Sequence, residues 1–204
     1  ERTCRALCER LGVELVAERV ALDAGENVQA AAREARYRAA ERLRAERGLD
    51  WIATGHTRTD LAETVIYRLA TSPGRRALLG LPERRGRLVR PLLALGRAEA
   101  RELVEAAGLP FRDDPTNAEP MYARNRIRNE VLPVLGEIGP AAERVIAETR
   151  AELAEEAAAL EAIAAEALDA SGVGSATVVP GELLEELHPA VARLALRTLA
   201  ERVA

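Results

Sequence analysis

The chain has 204 residues, with 29 basic residues against 33 acidic ones, a net charge of −4 and two cysteines. This length permits a buried core without disulfides, which excludes collagen-like, disulfide-rich and wholly disordered chains. No apolar run approaches the roughly 20 residues of a membrane-spanning helix, and no secretory signal is evident, so we expect a cytoplasmic protein without a membrane partner.

The charges are divided along the chain, and all basic residues are arginine. Residues 68–101 carry nine arginines and two acids, a local charge of +7, whereas residues 137–186 carry two arginines and twelve acids, a local charge of −10. Glutamates spaced among alanines are typical of the solvated face of a helix. The arginine-rich stretch instead suggests a surface for a polyanion such as RNA.

Apolar periodicity and glycine or proline breaks divide the first part of the chain into alternating helices and strands. In chain order the predicted elements are a helix over 2–11, a strand over 13–20, a helix over 27–47, a buried strand over 50–55, a helix from about Asp60, a strand or extended segment over 88–95 and a helix over 97–107. Strands that alternate with helices of this length indicate a parallel sheet covered on both faces, hence an α/β fold.

Beyond about residue 135 the pattern changes to almost continuous helix, over 141–169 and again over 182–203. We therefore expect two units, an α/β domain over 1–135 and an all-helical segment over 136–204. The second unit shows no evident terminal cap and the first residue is Glu1, so we also expect the chain to be part of a longer protein.

One cluster of reactive side chains follows a predicted strand. His56 comes just past the strand, and Asp60 and Glu63 follow at offsets of four and seven. Ligands of open parallel sheets bind beyond the carboxyl ends of strands, and Gly55 would let the backbone approach a ligand closely. An Asp at a helix N-cap with a Glu three residues later also forms a capping box that needs no ligand, so the spacing leaves both interpretations open.

Two further segments carry groups suited to phosphates. Arg33 and Arg36 lie three residues apart on a predicted helix and suit phosphate oxygens, although an arginine–glutamate surface explains them as well. Residues 122–129 hold three alternating arginines and two asparagines, a dense set of donors for phosphates or base edges. We assign no residue to a metal site.

Five motifs then occur along the chain. They are Thr54-Gly55-His56, Asp60-Leu61-Ala62-Glu63-Thr64, Arg90-Pro91-Leu92-Leu93, Asp113-Asp114-Pro115-Thr116-Asn117 and Tyr122-Ala123-Arg124-Asn125-Arg126-Ile127-Arg128. Their order and approximate spacing resemble those of the tRNA(Ile)-lysidine synthetases, members of the ATP-pyrophosphatase (PP-loop) family. The resemblance extends from about residue 2 to residue 135 and continues weakly through the helical tail.

The resemblance implies a Rossmann-like parallel sheet with flanking helices, of the PP-loop ATPase type, and an ATP-dependent carbon–nitrogen ligase. In that reaction ATP adenylates the C2 oxygen of the wobble cytidine of tRNA(Ile) with a CAU anticodon, and the amine of free L-lysine then displaces AMP to give lysidine. ATP and Mg²⁺ are the implied cofactors, and tRNA(Ile) and lysine are the implied partners. A homodimer is a further expectation.

The resemblance also implies roles for residues. Arg36 and His56 would serve the nucleotide and its phosphates, Asp60 and Glu63 would hold the lysine, and Arg124, Asn125 and Arg128 would face the tRNA or the activated intermediate. To these we add, from their residue types, Arg33 and Gly55 for the nucleotide and Arg85 and Arg87 for the tRNA. The expected catalytic residues are His56, Asp60 and Glu63, because carboxylates suit a substrate that carries an ammonium group and a histidine suits a polyanionic leaving group.

The chain departs from the family pattern in two places. Only Asp60 stands where many relatives have two adjacent acids, and the Ser-Gly-Gly-x-Asp-Ser phosphate loop, with the first strand, is absent from this sequence. We therefore expect an N-terminally truncated chain with little or no ligase activity alone. Two alternatives stay open: a tRNA-thiolating PP-loop enzyme, although Cys4 and Cys8 lack Cys-x-x-Cys spacing and are expected to be core residues, and a non-catalytic tRNA-binding module.

Overall fold

A computed structural model describes residues 2–20, 28–112, 123–170 and 181–203. The α-helices are α1 (Arg2–Leu11), α2 (Val28–Glu46), α3 (Arg58–Thr71), α4 (Arg75–Leu78), α5 (Arg97–Ala106), α6 (Ala123–Arg126), α7 (Leu132–Ile138), α8 (Ala142–Ala170), α9 (Gly181–Glu186) and α10 (Pro189–Val203). The strands are β1 (Ile52–Ala53), β2 (Arg84–Arg85) and β3 (Leu88–Val89), and a π-helical turn, Ile127–Val131, joins α6 to α7. No helix in these parts of the chain is long and apolar enough to cross a membrane.

The three strands form one small sheet in the order β1-β3-β2. β1 pairs with β3 in parallel, with Ile52 opposite Leu88, whereas β2 pairs with β3 in the antiparallel direction. Gly86, at φ +58°, allows the two-residue turn that reverses the chain between β2 and β3. The expected parallel pairing is therefore observed for β1 and β3, and the expectation of a purely parallel sheet is wrong for β2.

The strand expected over 13–20 is not formed. This segment has no strand neighbour within the described residues, and Val13 and Val16 are 53% and 42% exposed. Alternating apolar residues form a strand only where a neighbouring strand supplies the hydrogen-bond ladder, so the pattern alone was not sufficient. β1, which pairs with β3 alone among the described residues, is shorter and less buried than the strand expected over 50–55.

Helix α3 lies between two apolar clusters. Leu61 faces one cluster and the next residue, Ala62, faces the other, because successive residues of a helix point about 100° apart. The buried members are Leu61, Leu81 and Leu93 in the first cluster and Ala62, Ile127 and Leu132 in the second. Two α8 residues, Ile146 and Ala147, pack against these clusters, so the start of α8 covers α3.

Helix α8 has 29 residues and is therefore about 44 Å long. Its C-terminal turns form a separate apolar cluster with α10, whose buried members are Ala164, Leu168, Val191, Ala195 and Leu199. The single helix expected over 182–203 is split into α9 and α10, because Pro189 begins a new helix where its missing N–H and fixed φ are tolerated.

Helix α4 and the loop that follows it are held by three arginines from different parts of the chain. Their guanidinium groups donate to backbone carbonyls, Arg68 to Ala77 at 2.9 Å, Arg150 to Leu79 at 3.0 Å and Arg90 to Pro82 at 2.5 Å. Within this loop the buried Leu81 has φ +56°, a conformation that is unfavourable for a bulky residue. The apolar packing of Leu81 and the arginine contacts together keep the loop in this conformation.

Candidate functional site

A cleft opens at the carboxyl ends of β1 and β3. The two ends lie together because the Thr54 N–H donates to the Val89 carbonyl at 3.0 Å. The cleft has a volume of about 340 Å³ and is lined by Arg36, Tyr37, Thr54, Gly55, His56 and Asp60. Its size is at the lower end of the range for small-molecule sites. The structure thus brings together four residues that the sequence singled out, Arg36, Gly55, His56 and Asp60.

The N-terminus of α3 positions Asp60. Thr57 is the N-cap, and its backbone N–H and its hydroxyl both donate to Asp60 Oδ2 at 2.8 Å. The capping box expected with Asp60 at the N-cap and Glu63 three residues later is therefore wrong in register, because the extended Thr57 already caps the helix one turn earlier. Asp60 serves as the reciprocal partner of this cap and also lines the cleft.

His56 is half-buried beside the cap. Its Nδ1 lies 2.9 Å from the Thr54 hydroxyl, which fixes the orientation of the ring. Burial lowers the pKa of His56; Asp60 acts in the opposite direction, and the charges of Arg90, Arg33 and Arg36 lower the pKa further. The imidazole is therefore neutral at pH 7 and has one nitrogen that donates and one that accepts.

Glu63 is 2% exposed and does not line the cleft. The Arg128 Nε donates to Glu63 Oε1 at 2.5 Å, and the Arg128 Nη2 lies 3.5 Å from Asp60 Oδ1. Burial raises the pKa of the Glu63 carboxyl, and Arg128 opposes that rise. The two acids expected to face a ligand together are thus linked through Arg128, with only Asp60 at the cleft.

Helix α2 supplies the opposite wall. The guanidinium carbons of Arg33 and Arg36 lie 5.2 Å and 5.9 Å from the centre of the Tyr37 ring, within the range of cation–π attraction. The sequence did not single out Tyr37. Its hydroxyl is buried and has no hydrogen-bond partner among the described residues, so the cleft holds an unsatisfied polar group.

Gly55 has open space above its backbone. A Cβ at this position would meet no atom within 4 Å, and its φ is not in the left-handed region. The described fold therefore does not need glycine here. A ligand that approaches the backbone closely would need it.

The remaining predicted residues lie outside the cleft. Arg124 is exposed on α6, and its charge also lowers the pKa of Glu63, while Asn125 is half-buried on the same helix. Arg85 and Arg87 flank the hairpin turn. Since Leu88 pairs with Ile52, this turn lies at the amino end of β1, opposite to the cleft.

Two larger cavities lie elsewhere. One, of about 390 Å³, lies among α4, α8 and α10, and another, of about 560 Å³, lies at the N-termini of α3 and α5. Neither contains a residue singled out by the sequence, and both hold arginines that already pair with glutamates, such as Arg75 with Glu156 at 3.7 Å and Arg58 with Glu99 at 2.7 Å. Within the described ranges, no group of three or more His, Cys, Asp and Glu side chains is placed to hold a metal ion.

Comparison with known proteins identifies the family. Residues 1–135 match the model of the PP-loop domain. The chain belongs to the PP-loop family.

Two curated tRNA(Ile)-lysidine synthases are similar to this chain. The protein of Pseudomonas putida is 37% identical over 182 residues, which cover 87% of this chain and 42% of that protein. The protein of Thermus thermophilus is 41% identical over 204 residues, which cover 98% of this chain and 40% of that protein. The chain spans about two fifths of the length of these curated relatives.

A solved structure shows the same PP-loop fold. The U34-tRNA thiolase NcsA from Methanococcus maripaludis with its [4Fe-4S] cluster matches with a TM-score of 0.61 at 18% identity, over 76% of this chain and 55% of that chain. At this identity the likeness shows the fold alone, a PP-loop ATPase fold with a small sheet and many helices.

The two cysteines of this chain form no disulfide and lie on α1, where Cys4 is exposed and Cys8 is half-buried. The expectation that they are core residues is therefore wrong, because α1 buries no residue.

Proposed function

We propose that the chain is the part of a tRNA(Ile)-lysidine synthase that binds the nucleotide and lysine, with the cleft beyond β1 as its active site. One observation carries this proposal: Arg36, His56 and Asp60 meet in a single cleft of a chain whose relatives are lysidine synthases. The substrates are then ATP, L-lysine and a tRNA(Ile) with a CAU anticodon.

The charges of the cleft suit both steps of this reaction. Adenylation joins the α-phosphorus of ATP to the C2 oxygen of the cytidine and releases pyrophosphate; the lysine amine then bonds to C2, and AMP leaves with that oxygen. Arg33 and Arg36 of α2 stabilise the negative charge that develops on the phosphates, and neutral His56 offers a hydrogen bond from the wall that also carries Asp60. Asp60, on the opposite wall, attracts the lysine ammonium.

The two acids have different roles in this proposal. Asp60 contacts the substrate ammonium because it lines the cleft, and Glu63 acts through Arg128, which its buried carboxylate holds beside Asp60.

Mg²⁺ enters with the nucleotide. The described residues include no three-ligand cluster, and Asp60 is the one carboxylate among those lining the cleft. These residues fit a metal held mainly by phosphate oxygens, as Mg²⁺ usually is. When bound, the ion neutralises phosphate charge.

The open edge of the sheet supports a finer proposal for the fold. Within the described residues β1 pairs with β3 alone, and the extended segment 13–20 exposes three valines. A further parallel strand beside β1 would make the sheet Rossmann-like, and its phosphate loop would come to the carboxyl edge near His56. We propose residues 1–135 as part of this PP-loop domain and residues 136–204 as a separate helical segment.

tRNA contacts are proposed on two surfaces. Arg124 and Asn125 on α6, together with Arg128, lie on the side of Glu63 and Asp60, where the reacting base must come. Arg85 and Arg87 lie at the other end of β1 and would contact a different part of the tRNA backbone. The homodimer remains an expectation from the resemblance.

A chimera tests the proposed function. This chain would replace the segment that it matches in the Thermus thermophilus protein, so that the remainder of that protein supplies the other segments. With ATP, radiolabelled lysine and a tRNA(Ile) transcript with a CAU anticodon, the chimera should incorporate lysine only when ATP is present. A folded chimera that binds this tRNA but incorporates no lysine would contradict the proposal; sulfur transfer to tRNA would favour the thiolase, and binding alone would favour the non-catalytic module.

A further inference from the structure

Arg90 is a buried cation that pairs with no carboxylate of the described residues. Its residue is 5% exposed, and no acid of the described residues forms an ion pair with it. The Nη1 donates to the Pro82 carbonyl at 2.5 Å, and the buried Nε has no acceptor. Buried arginines are normally paired with acids, so an unpaired one calls for a physical explanation.

The position of Arg90 places it behind the cleft. It follows β3 directly, and because Val89 pairs with Ala53, Arg90 lies beside Thr54 at the carboxyl edge of the sheet. Thr54 in turn orients His56 through its hydroxyl. Arg90 therefore stands next to the segment that carries the histidine, although it does not line the cleft itself.

A purely structural role leaves the charge of Arg90 unexplained. The loop that Arg90 contacts is also held by Arg150 through the Leu79 carbonyl, and Arg68 holds the end of α4, which precedes the loop, through the Ala77 carbonyl. One hydrogen bond to a carbonyl uses one of the five N–H donors of a guanidinium, and a neutral donor could make the same bond. The cost of burying a full positive charge thus points to an electrostatic role.

The charged groups around His56 are mostly positive. Asp60 faces it from α3, Arg33 and Arg36 from α2, and Arg90 from the end of β3. Asp60 is the only acid in this set, and its Oδ2 already accepts two bonds from Thr57. Arg150 of α8 is a half-buried cation near Arg90, and Glu83 is the acid that acts on Arg150. In a partly desolvated site such an excess of positive charge attracts anions strongly.

We propose that Arg90 is a positioning residue, whose buried charge behind His56 acts on the imidazole and draws a phosphate-bearing ligand into the cleft. The inference rests on the proposed nucleotide site for the identity of the ligand. The effect of Arg90 on His56 can be measured without any ligand, which separates the two proposals.

The first measurement is an NMR titration of the chain, which has only two histidines. The Hε1 signal of His56 reports its protonation, and the exposed His188 gives the second signal. In Arg90→Met the midpoint of the His56 titration should move up by about half a pH unit, because a nearby cation has been removed. Arg90→Lys should restore the midpoint, and Arg144→Met, a change in an exposed arginine of α8 that pairs with Glu148, should leave it unchanged. An unmoved midpoint in a folded Arg90→Met variant would overturn the proposal.

The second measurement adds inorganic pyrophosphate as the probe. In the wild-type chain pyrophosphate should move the His56 midpoint to higher pH, and Arg90→Met should bind it about tenfold more weakly than Arg144→Met does. If Arg90→Met fails to fold, Arg90→Gln decides by the same two titrations, because it keeps a donor for the Pro82 carbonyl and carries no charge. Pyrophosphate binding that is equal in all folded variants overturns the role of Arg90 but leaves the proposed function standing. A shifted midpoint in Arg90→Met without pyrophosphate binding by the wild-type chain supports Arg90's effect on His56 and contradicts the nucleotide site.

Discussion

Arg128 donates through its Nε to the buried carboxylate of Glu63 and so joins the π-helical turn to the first turns of α3. π-Helical turns often occur at functional sites, because the extra residue redirects a side chain. Here the redirected side chain is a cation that compensates a carboxylate at 2% exposure and also lies near Asp60. The Arg128–Glu63 pair thus stabilises the core and also holds a cation near Asp60, which lines the cleft.

Removing Arg128 should destabilise the protein strongly. In Arg128→Met the Glu63 carboxylate stays buried without its cation, a loss of about 3–5 kcal/mol. The free energy of unfolding from urea titration should fall by that amount at neutral pH, and the double variant with Glu63→Gln should regain most of it. Arg126→Met is the matched control, because Arg126 is exposed and pairs with Glu130 at 3.1 Å, and it should lose less than about 0.5 kcal/mol.

The destabilisation should also depend on pH. Burial raises the pKa of Glu63, and loss of Arg128 removes the group that opposes this rise. A carboxyl with a raised pKa in the folded state contributes stability below its unfolded pKa and loses that contribution as the pH rises through the folded pKa. Arg128→Met should therefore be closest to wild type in acid and furthest from it at high pH. A deficit that is independent of pH would contradict this explanation.

Asp60 has two roles: it accepts hydrogen bonds from Thr57 at the cap of α3, and in the proposed function it contacts the substrate. Asp60→Asn keeps an oxygen that can accept from Thr57, so the free energy of unfolding should fall by no more than about 1 kcal/mol, whereas the KM for lysine in the chimera should rise at least about tenfold. Thr57→Ala loses about 1 kcal/mol of stability but leaves that KM unchanged. If both variants change the lysine KM equally, Asp60 acts only as a cap.

Gly55 should matter for the ligand and not for the fold. In Gly55→Ala the added methyl group meets no atom within 4 Å, so the free energy of unfolding should change by less than about 0.5 kcal/mol. The KM for ATP in the chimera should rise, because the methyl group fills space that the ligand needs. Gly86→Ala is the converse control: its left-handed backbone should cost about 1 kcal/mol of stability without a change in KM. An unchanged KM in Gly55→Ala would show that no ligand approaches this backbone.

Arg85 and Arg87 should affect tRNA binding without affecting the cleft. The double variant Arg85→Glu, Arg87→Glu should weaken tRNA binding by the chimera and flatten its dependence on salt, since each lost phosphate contact removes a released counterion. The KM for lysine should not change, because these residues lie at the far end of β1. Arg38→Glu with Arg144→Glu reverses two exposed arginines that pair with glutamates on helices, and it serves as the charge-matched control. An identical salt slope in both double variants would make residues 85 and 87 ordinary surface.

Local signals in the sequence were sufficient for most of the helices. α1, α2 and α5 begin and end within a residue or so of their predicted limits, because Ala- and Arg-rich runs favour helix and a glycine follows each of them. The grouping of His56 with Asp60 was also predictable, since both follow one strand within a few residues. Arg36 could be proposed for the same site only through the resemblance.

Contacts between residues far apart in the sequence could not be predicted from such local signals. Arg128 and Glu63 are 65 residues apart, and no local pattern pairs them; the resemblance implied only that Arg128 faces the tRNA or the activated intermediate. β2 consists of two arginines and has no apolar alternation, so its antiparallel pairing depends on β3 alone. The burial of Arg90 likewise depends on contacts that form only in the folded chain, such as that of its Nη1 with the Pro82 carbonyl.

The most direct test of the active-site assignment is the rate of ATP-dependent lysine incorporation by the chimera with single substitutions in the cleft. His56→Ala and Asp60→Asn should each lower kcat/KM at least about a hundredfold while the variants remain folded. Tyr67→Phe, a change in an exposed residue of the same helix α3, should retain the wild-type value. Wild-type rates in folded His56→Ala and Asp60→Asn variants would contradict the assignment of the cleft as the active site.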